Sequence, residues 1–205
     1  MASRQPPYAS SVFLNCPFDD RYLPIRNAIL FAVFDCGFVP RCALEVDDGG
    51  DLRFDKIQRL VSASKFGIHD ISRTELDPKT NLPRFNMPLE LGIFLAARRF
   101  GDATQREKSC LIMDRAPYRY REFISDISGN DVESHDDDPK TAITRVRDWL
   151  RGKSGRRTIP GGAAIAERYD RFVGDLPRMC KQADVAPSEL TYTDYVAFVS
   201  AWLRG

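Results

Sequence analysis

The run Asn86-Met87-Pro88-Leu89-Glu90-Leu91-Gly92-Ile93-Phe94-Leu95-Ala96-Ala97 is apolar except for one carboxylate, Glu90. Its composition predicts a helix that is apolar on nearly every face and therefore buried. Glu90 falls in the expected first turn. A buried, unpaired carboxylate costs several kcal/mol, so a fold that keeps one usually gives it a partner or a task. Free N–H groups and the helix dipole at an N-terminus offset part of that cost. Glu90 is thus expected as an ionised carboxylate at a pocket mouth, where it could face developing positive charge. Glutamate in a first turn also serves the dipole with no chemistry attached, so the neighbouring residues decide.

Asn15-Cys16-Pro17-Phe18-Asp19 follows the apolar run Ser11 to Asn15 directly. Asn15 and Asp19 can bond backbone or a ribose, and Phe18 or Tyr22 could stack on a base. The plainer alternative is that Asp19 or Asp20 caps the next helix. No glycine-rich phosphate loop follows this run, which argues against the dinucleotide fingerprint and the phosphate loop of nucleotide hydrolases. His69 and His135 are the two histidines of the chain. His69 sits inside a strand-like run and no Gly-x-Ser-x-Gly turn exists, so a Ser-His-Asp relay is not expected. Asp136-Asp137-Asp138 has cation-ligand chemistry, but adjacent loop carboxylates are usually solvated.

Positioning these residues requires a set of alternating elements. Ser11 to Cys16, Phe38 to Ala43, Lys65 to Ile71 and Ser109 to Asp114 are short apolar runs that predict strands. Between them, Ile25, Ala28, Ile29, Ala32, Val33 and Cys36 have helical spacing, ending at Gly37. A further helix opens at Asp51 after Gly49-Gly50 and carries Phe54, Ile57, Leu60 and Val61. Ser72 to Phe85, with Pro78 and Pro83, is expected as a loop. The alternation predicts an α/β fold with a parallel sheet and helices on both faces. Ligands bind such sheets beyond the carboxyl ends of the strands. That edge would gather Asn15 to Asp19, Arg41 to Glu45, Asp70 to Arg73 and Asp114-Arg115 around Glu90.

Beyond Asp114 the pattern changes. Tyr118 to Ile127 is expected as a short amphipathic helix and Asn130 to Asp138 as an acidic loop. Helices are expected from Pro139 to Leu150 with Asp138 as cap, from Ala163 to Cys180, and from Thr193 to Leu203 with Thr191 as cap. Gly152 to Gly162 is expected as an exposed connection. The tail should pack on the sheet, being short for a core of its own. Two parts of one domain are expected, an α/β nucleotide-binding part over residues 1–127 and a helical extension over 128–205.

The chain has 205 residues, and its 30 basic and 29 acidic residues nearly cancel, which gives no basic footprint for nucleic acid. The five cysteines show no zinc-like spacing, and no metal is expected. They are expected as reduced core residues of a cytoplasmic protein. No run suggests a signal peptide or a membrane span.

Arg84-Phe85-Asn86-Met87-Pro88-Leu89-Glu90-Leu91-Gly92-Ile93-Phe94 resembles the Asn-x-x-x-Glu-Leu-Gly segment of TIR-like proteins and nucleoside 2-deoxyribosyltransferases. Ile68-His69-Asp70-Ile71-Ser72 is similar to their preceding strand, and Phe13-Leu14-Asn15-Cys16-Pro17-Phe18 to their first strand and ligand loop. The resemblance covers Val12 to Phe100, less than half of the chain. Arg84 stands near the place of an acidic residue in the transferases. Asn86 stands where TIR nucleosidases often carry tryptophan. The resemblance implies a flavodoxin-like, three-layer fold and cleavage of the N-glycosidic bond of NAD or a related nucleotide, with Glu90 catalytic at the ribose. Asn15, Asp19, Asp70 and Ser72 would position sugar and phosphate, with Arg41 or Arg73 on phosphate and Pro17, Phe18, Tyr22 and Asn86 lining the ligand. NAD would be substrate, with no cofactor, and self-association is implied. The alternatives are a non-catalytic nucleotide sensor, an interaction module and a nucleoside ribosyltransferase.

Overall fold

The structure is a computed structural model that describes residues 6–45, 50–77 and 80–205. The chain break expected at Gly49-Gly50 lies partly outside these residues, as does Pro78 of the expected loop.

The strands are β1 (Ser11–Asn15), β2 (Val39–Arg41), β3 (Phe66–Asp70), β4 (Ser109–Asp114) and β5 (Val132–Ser134). They form one sheet in the order β2-β1-β3-β4-β5, every pair parallel. This is a flavodoxin-like α/β fold. Every residue of β1 and β3 is buried, as continuous apolar strands covered on both faces should be. The described helices are α1 (Leu23–Asp35), α2 (Arg53–Ser62), α3 (Asn86–Phe100), the short α4 (Ala103–Arg106), α5 (Pro139–Ser154), α6 (Gly162–Gln182) and α7 (Tyr192–Trp202).

Alternate strand residues point to opposite faces, and this divides the core. Val12, Leu14, Phe66, Ile68, Leu111 and Met113 pack with α1 and α5. Phe13 packs with α2 and with Phe94 of α3 on the other face, and Ile112 packs with Leu91. Behind α1 lies a further, fourth layer made by α6 and α7. Phe31 of α1 meets Tyr169, Phe172 and Trp202 at centroid distances of 5.5, 5.5 and 5.9 Å. Arg168 forks onto Asp35, and Tyr195 Oη donates to the Asn27 carbonyl. A helix covered on two sides must be apolar nearly all round, and Ala28 to Val33 of α1 are all buried. The tail thus packs on the sheet domain as expected.

Three expectations change. Val132–Ser134, expected within an acidic loop, is an edge strand too short for a periodic signal. The division at residue 127 therefore falls before β5 and α5, which complete the sheet and its helical layer; the added helices begin at α6. Tyr118 to Ile127 forms two 3-10 turns, Arg119–Glu122 and Ser125–Ile127, in place of an α-helix. The α3 helix is buried only along Met87, Glu90, Leu91 and Phe94, while Leu89 and Phe100 are exposed. Caps at Asp138 and Thr191 form as expected, each accepting the N–H three residues on. Among the described residues no helix is long and apolar enough to cross a membrane.

Phe172 is fully buried between Phe31, Tyr195 and Trp202. Replacing it with alanine should destabilise the chain by about 3–5 kcal/mol. Urea unfolding should show one transition moved to lower concentration; a separate transition for the tail would contradict packing as one unit.

Candidate active site

The strand order reverses between β1 and β3, the position where sheets of this kind open a crevice at their carboxyl ends. Asn15, the last residue of β1, is buried there. Its Nδ2 donates to the Met87 carbonyl at 2.8 Å and lies 3.1 Å from His69 Nδ1. The amide thus ties the first turn of α3 to the ends of both central strands. His69 is fully buried between Phe13 and Phe94. Burial, with the Lys108 charge nearby, pushes its pKa down to about 3, so the ring is neutral and serves as the acceptor of Asn15. It is a buried strand residue and not a general base, as expected, but only one of its nitrogens is satisfied: Nε2 has no hydrogen-bond partner among the described residues.

Glu90 follows Met87 by three residues on α3 and is 8% exposed. Because α3 begins at Asn86, Glu90 lies in the second turn and not the first. The free N–H groups of the helix start, which would offset its charge, do not reach it. Among the described residues it makes no hydrogen bond or ion pair. Burial raises its pKa to about 7, with Arg53 pulling in the opposite direction. A carboxylate held this way is poised near neutrality, a frequent property of catalytic acids and bases.

Two contiguous hollows meet at Glu90. One, of about 210 Å³, is walled by Asn15 to Asp19 of the β1–α1 loop and by Arg53, Arg73, Arg84, Asn86 and Met87. The other, of about 190 Å³, is lined by Arg53, Phe54, Ile57, Asn86 and Leu89. Glu90, Arg53 and Asn86 belong to both. The first arm is cationic. Arg73 Nε stands 3.5 Å from Asp19 Oδ2, and Arg84 reaches Asp77 at 3.0 Å. Arg53 has no ion pair among the described residues. The second arm is apolar. A cleft with arginines at one end, a carboxylate in the middle and aromatic and aliphatic walls at the other suits a ligand with phosphate, sugar and base in that order.

Of the residues expected around the ligand, Asn15, Pro17, Phe18, Asp19, Arg73 and Asn86 line this cleft with Glu90. Asn15 is engaged with Met87 and His69, and Asp19 also accepts the N–H of Tyr22 at 3.1 Å; Tyr22 is itself the N-cap of α1, so neither Asp19 nor Asp20 caps that helix, contrary to the capping alternative. Four others lie elsewhere. Tyr22 is fully buried and packs edge-on against His135, so it offers no stacking surface. Arg41 is clamped by Glu45, with Nε at 2.9 and 3.1 Å from its two carboxylate oxygens, beside a different hollow. Asp70 and Ser72 are fully buried away from the cleft. The physical reason is strand alternation: His69 turns to the α2 and α3 face, so Asp70 turns to the α1 and α5 face.

There Asp70 forms a closed polar knot. Its Oδ1 accepts the Ser72 N–H at 2.9 Å and the Ser72 hydroxyl, while Oδ2 lies 3.1 Å from His135 Nε2. His135 Nδ1 accepts the Asp137 N–H at 3.1 Å. Burial favours the neutral ring, but the hydrogen bond and charge of Asp70, with Asp137 and Asp114, outweigh it and raise the His135 pKa. The Ser-His-Asp trio is therefore a structural lock. Ser72 is sealed from solvent, and one imidazole nitrogen faces both partners, unlike a relay. Asp136 and Asp137 adopt left-handed φ of 54° and 53° around this lock. Among the described residues no cluster of three or more potential metal ligands occurs.

Arg53 and the apolar arm were not expected from the sequence. One signal was available: Arg53 opens α2, where the helix dipole disfavours a cation. Comparisons with family models, curated proteins and solved structures return no match for this chain.

Two stability measurements test this geometry. The folded pKa of Glu90 lies above its ordinary value, so the native state binds more protons than the unfolded state between pH 4.5 and about 7. Its contribution to stability therefore falls as pH rises through that window and is flat above it. Glu90→Gln should gain about 2–3 kcal/mol over wild type at pH 8 relative to pH 4; equal stability profiles would exclude a destabilised carboxylate. His135→Ala should cost about 3–5 kcal/mol at neutral pH, because Asp70 is left buried without its imidazole partner, measurable as a loss in urea midpoint.

Proposed function

We propose that the chain cleaves the N-glycosidic bond of NAD or a related nucleotide, with Glu90 at the ribose. The observation that carries this reading is a buried, unpartnered Glu90 at the junction of an arginine-lined and an apolar arm. Breaking the C1′–N bond sends its electron pair to the departing base and leaves positive charge on the sugar. A carboxylate in a water-poor cleft stabilises that charge far more than it would in bulk solvent. For a nicotinamide nucleotide the base departs neutral and needs no proton. Water then adds to C1′ and loses a proton. Arg53, Arg73 and Arg84 would hold phosphate, and Phe54, Ile57 and Leu89 would face the base. NAD is substrate in this reading, not a redox cofactor. The exposed Leu52, Phe85 and Leu89 beside the cleft support self-association as part of the working form.

A second reading, a nucleotide sensor without turnover, is favoured by one feature. Asp70, the carboxylate expected beside Glu90, is locked behind the sheet with Ser72 and His135.

The purified protein incubated with NAD at low and high concentration should release nicotinamide, followed by chromatography, and turnover per chain should rise with concentration. Glu90→Gln should lower the rate by about a hundredfold or more. The wild-type rate should rise with pH through about 7 as Glu90 ionises. Arg53→Ala should move that midpoint upward, because Arg53 favours the ionised form. Absence of release at every concentration, with saturable NAD binding, would overturn the enzyme reading in favour of the sensor.

A further inference from the structure

A larger hollow, about 550 Å³, lies at the opposite edge of the sheet and shares no lining residue with the Glu90 cleft. Its floor is the first half of β4. The Ser109 N–H donates to the Lys65 carbonyl and the Ile71 N–H to the Met113 carbonyl. Odd-numbered residues of β4 therefore bond to β3, and even-numbered ones point their backbone groups outward. On that outer side β5 pairs only from Ile112↔Val132 to Asp114↔Ser134, and the Asp114 carbonyl takes the His135 N–H. Cys110 is the outward-facing residue that β5 does not reach. Its N–H and C=O have no backbone partner among the described residues. Upstream of Val132 the chain turns at Asn130, whose N–H bonds the Ile127 carbonyl, and does not run back beside Cys110.

The open stretch is walled by a helix on each face of the sheet. Leu95 and Arg98 come from α3, and Trp149 and Lys153 from α5. The Trp149 indole stands edge-on to Phe66 at 5.7 Å, and its N–H has no acceptor among the described residues. The charges around the hollow are unevenly paired. Arg145 is taken by Glu133 at 3.1 Å, and Asp148 by Arg147 at 2.7 Å. Arg98 and Lys153 have no ion pair among the described residues, against a single unpaired acid, Asp131. A groove along α3, lined by Leu95, Arg98, Arg99 and Arg106, continues from the hollow with more positive charge.

An unpaired strand edge recruits another extended backbone. The side chains of such a strand alternate between the two faces, so two successive residues would meet Arg98 on one side and Lys153 on the other. We propose that this edge binds an extended peptide segment carrying two adjacent acidic residues. The segment adds a strand in line with β5, and its backbone takes up the N–H and C=O of Cys110.

The test uses the full chain and the hexapeptide Thr-Val-Asp-Glu-Val-Thr-amide with fluorescein coupled to its N-terminal amine. Binding is followed by anisotropy, and amide exchange at Cys110 is followed in parallel. Saturable binding with slowed exchange at Cys110 is expected. Arg98 and Lys153 are exposed, so the double variant Arg98→Glu/Lys153→Glu should fold, as circular dichroism can verify. It should bind at least about tenfold more weakly, a change of roughly 1.4 kcal/mol. It should also bind the matching peptide with Lys-Lys in place of Asp-Glu, which the wild type rejects. The proposal is overturned by absence of saturable binding up to about 1 mM, by equal binding to the double variant, or by unchanged exchange at Cys110. The last outcome would mean charge attraction without strand addition.

Discussion

The hydrogen bond from the Asn15 amide to the Met87 carbonyl is the contact on which the Glu90 cleft depends. It crosses from the end of β1 to the first turn of α3, with the neutral His69 ring of β3 as the second anchor of the same amide. A helix start packed over two strand ends sets the depth of every later residue on its buried face. Glu90 is placed among Asn15, Cys16 and Met87 by that constraint, too far along the helix to use the free N–H groups. The consequence is a carboxylate whose ionisation is costly until a cation or a ligand approaches. Arg53 supplies part of that compensation from α2, at a helix start where the dipole works against it.

Strand alternation separates two polar systems that are adjacent in sequence. His69 and Asp70 are neighbours, yet one supports the cleft and the other is sealed on the opposite face with Ser72, His135 and Tyr22. The second system ties the end of β3 to the turn after β5, so it braces the short edge strand. Its charges are satisfied internally, which explains how a Ser-His-Asp trio can exist in this chain without a nucleophile accessible to anything.

The added helices α6 and α7 change the character of α1. In a plain three-layer arrangement its outer face would be polar; here Phe31 and its neighbours are covered by Phe172, Tyr195 and Trp202. At the far side the sheet is left less complete. The three-residue β5 covers only half of β4, which leaves one residue's backbone groups open between two helices of opposite faces. The fold is therefore thick on the α1 side and open at the β4 edge.

Much of this was legible in the residues themselves. Apolar runs such as Ser11 to Asn15 and Phe66 to Asp70 announce buried parallel strands, because a strand covered on both faces has no polar side to alternate with. The helical spacing of Ile25 to Cys36 and the caps at Asp138 and Thr191 are local properties, set within a few residues. Glu90 stood out because a carboxylate in an apolar run conflicts with its surroundings at the level of composition. What required the tertiary structure was everything that depends on register and facing. One residue of offset decided that Asp70 leaves the site and His69 stays under it. The true start of α3 decided that Glu90 lies beyond the reach of the helix N-terminus. The meeting of α2 with α3 brought Arg53 and Phe54 to a site that their own segment does not indicate. Local composition determines which elements form, since their energetics are short-range. Which side chains share a cleft depends on contacts between distant segments, which no single segment encodes.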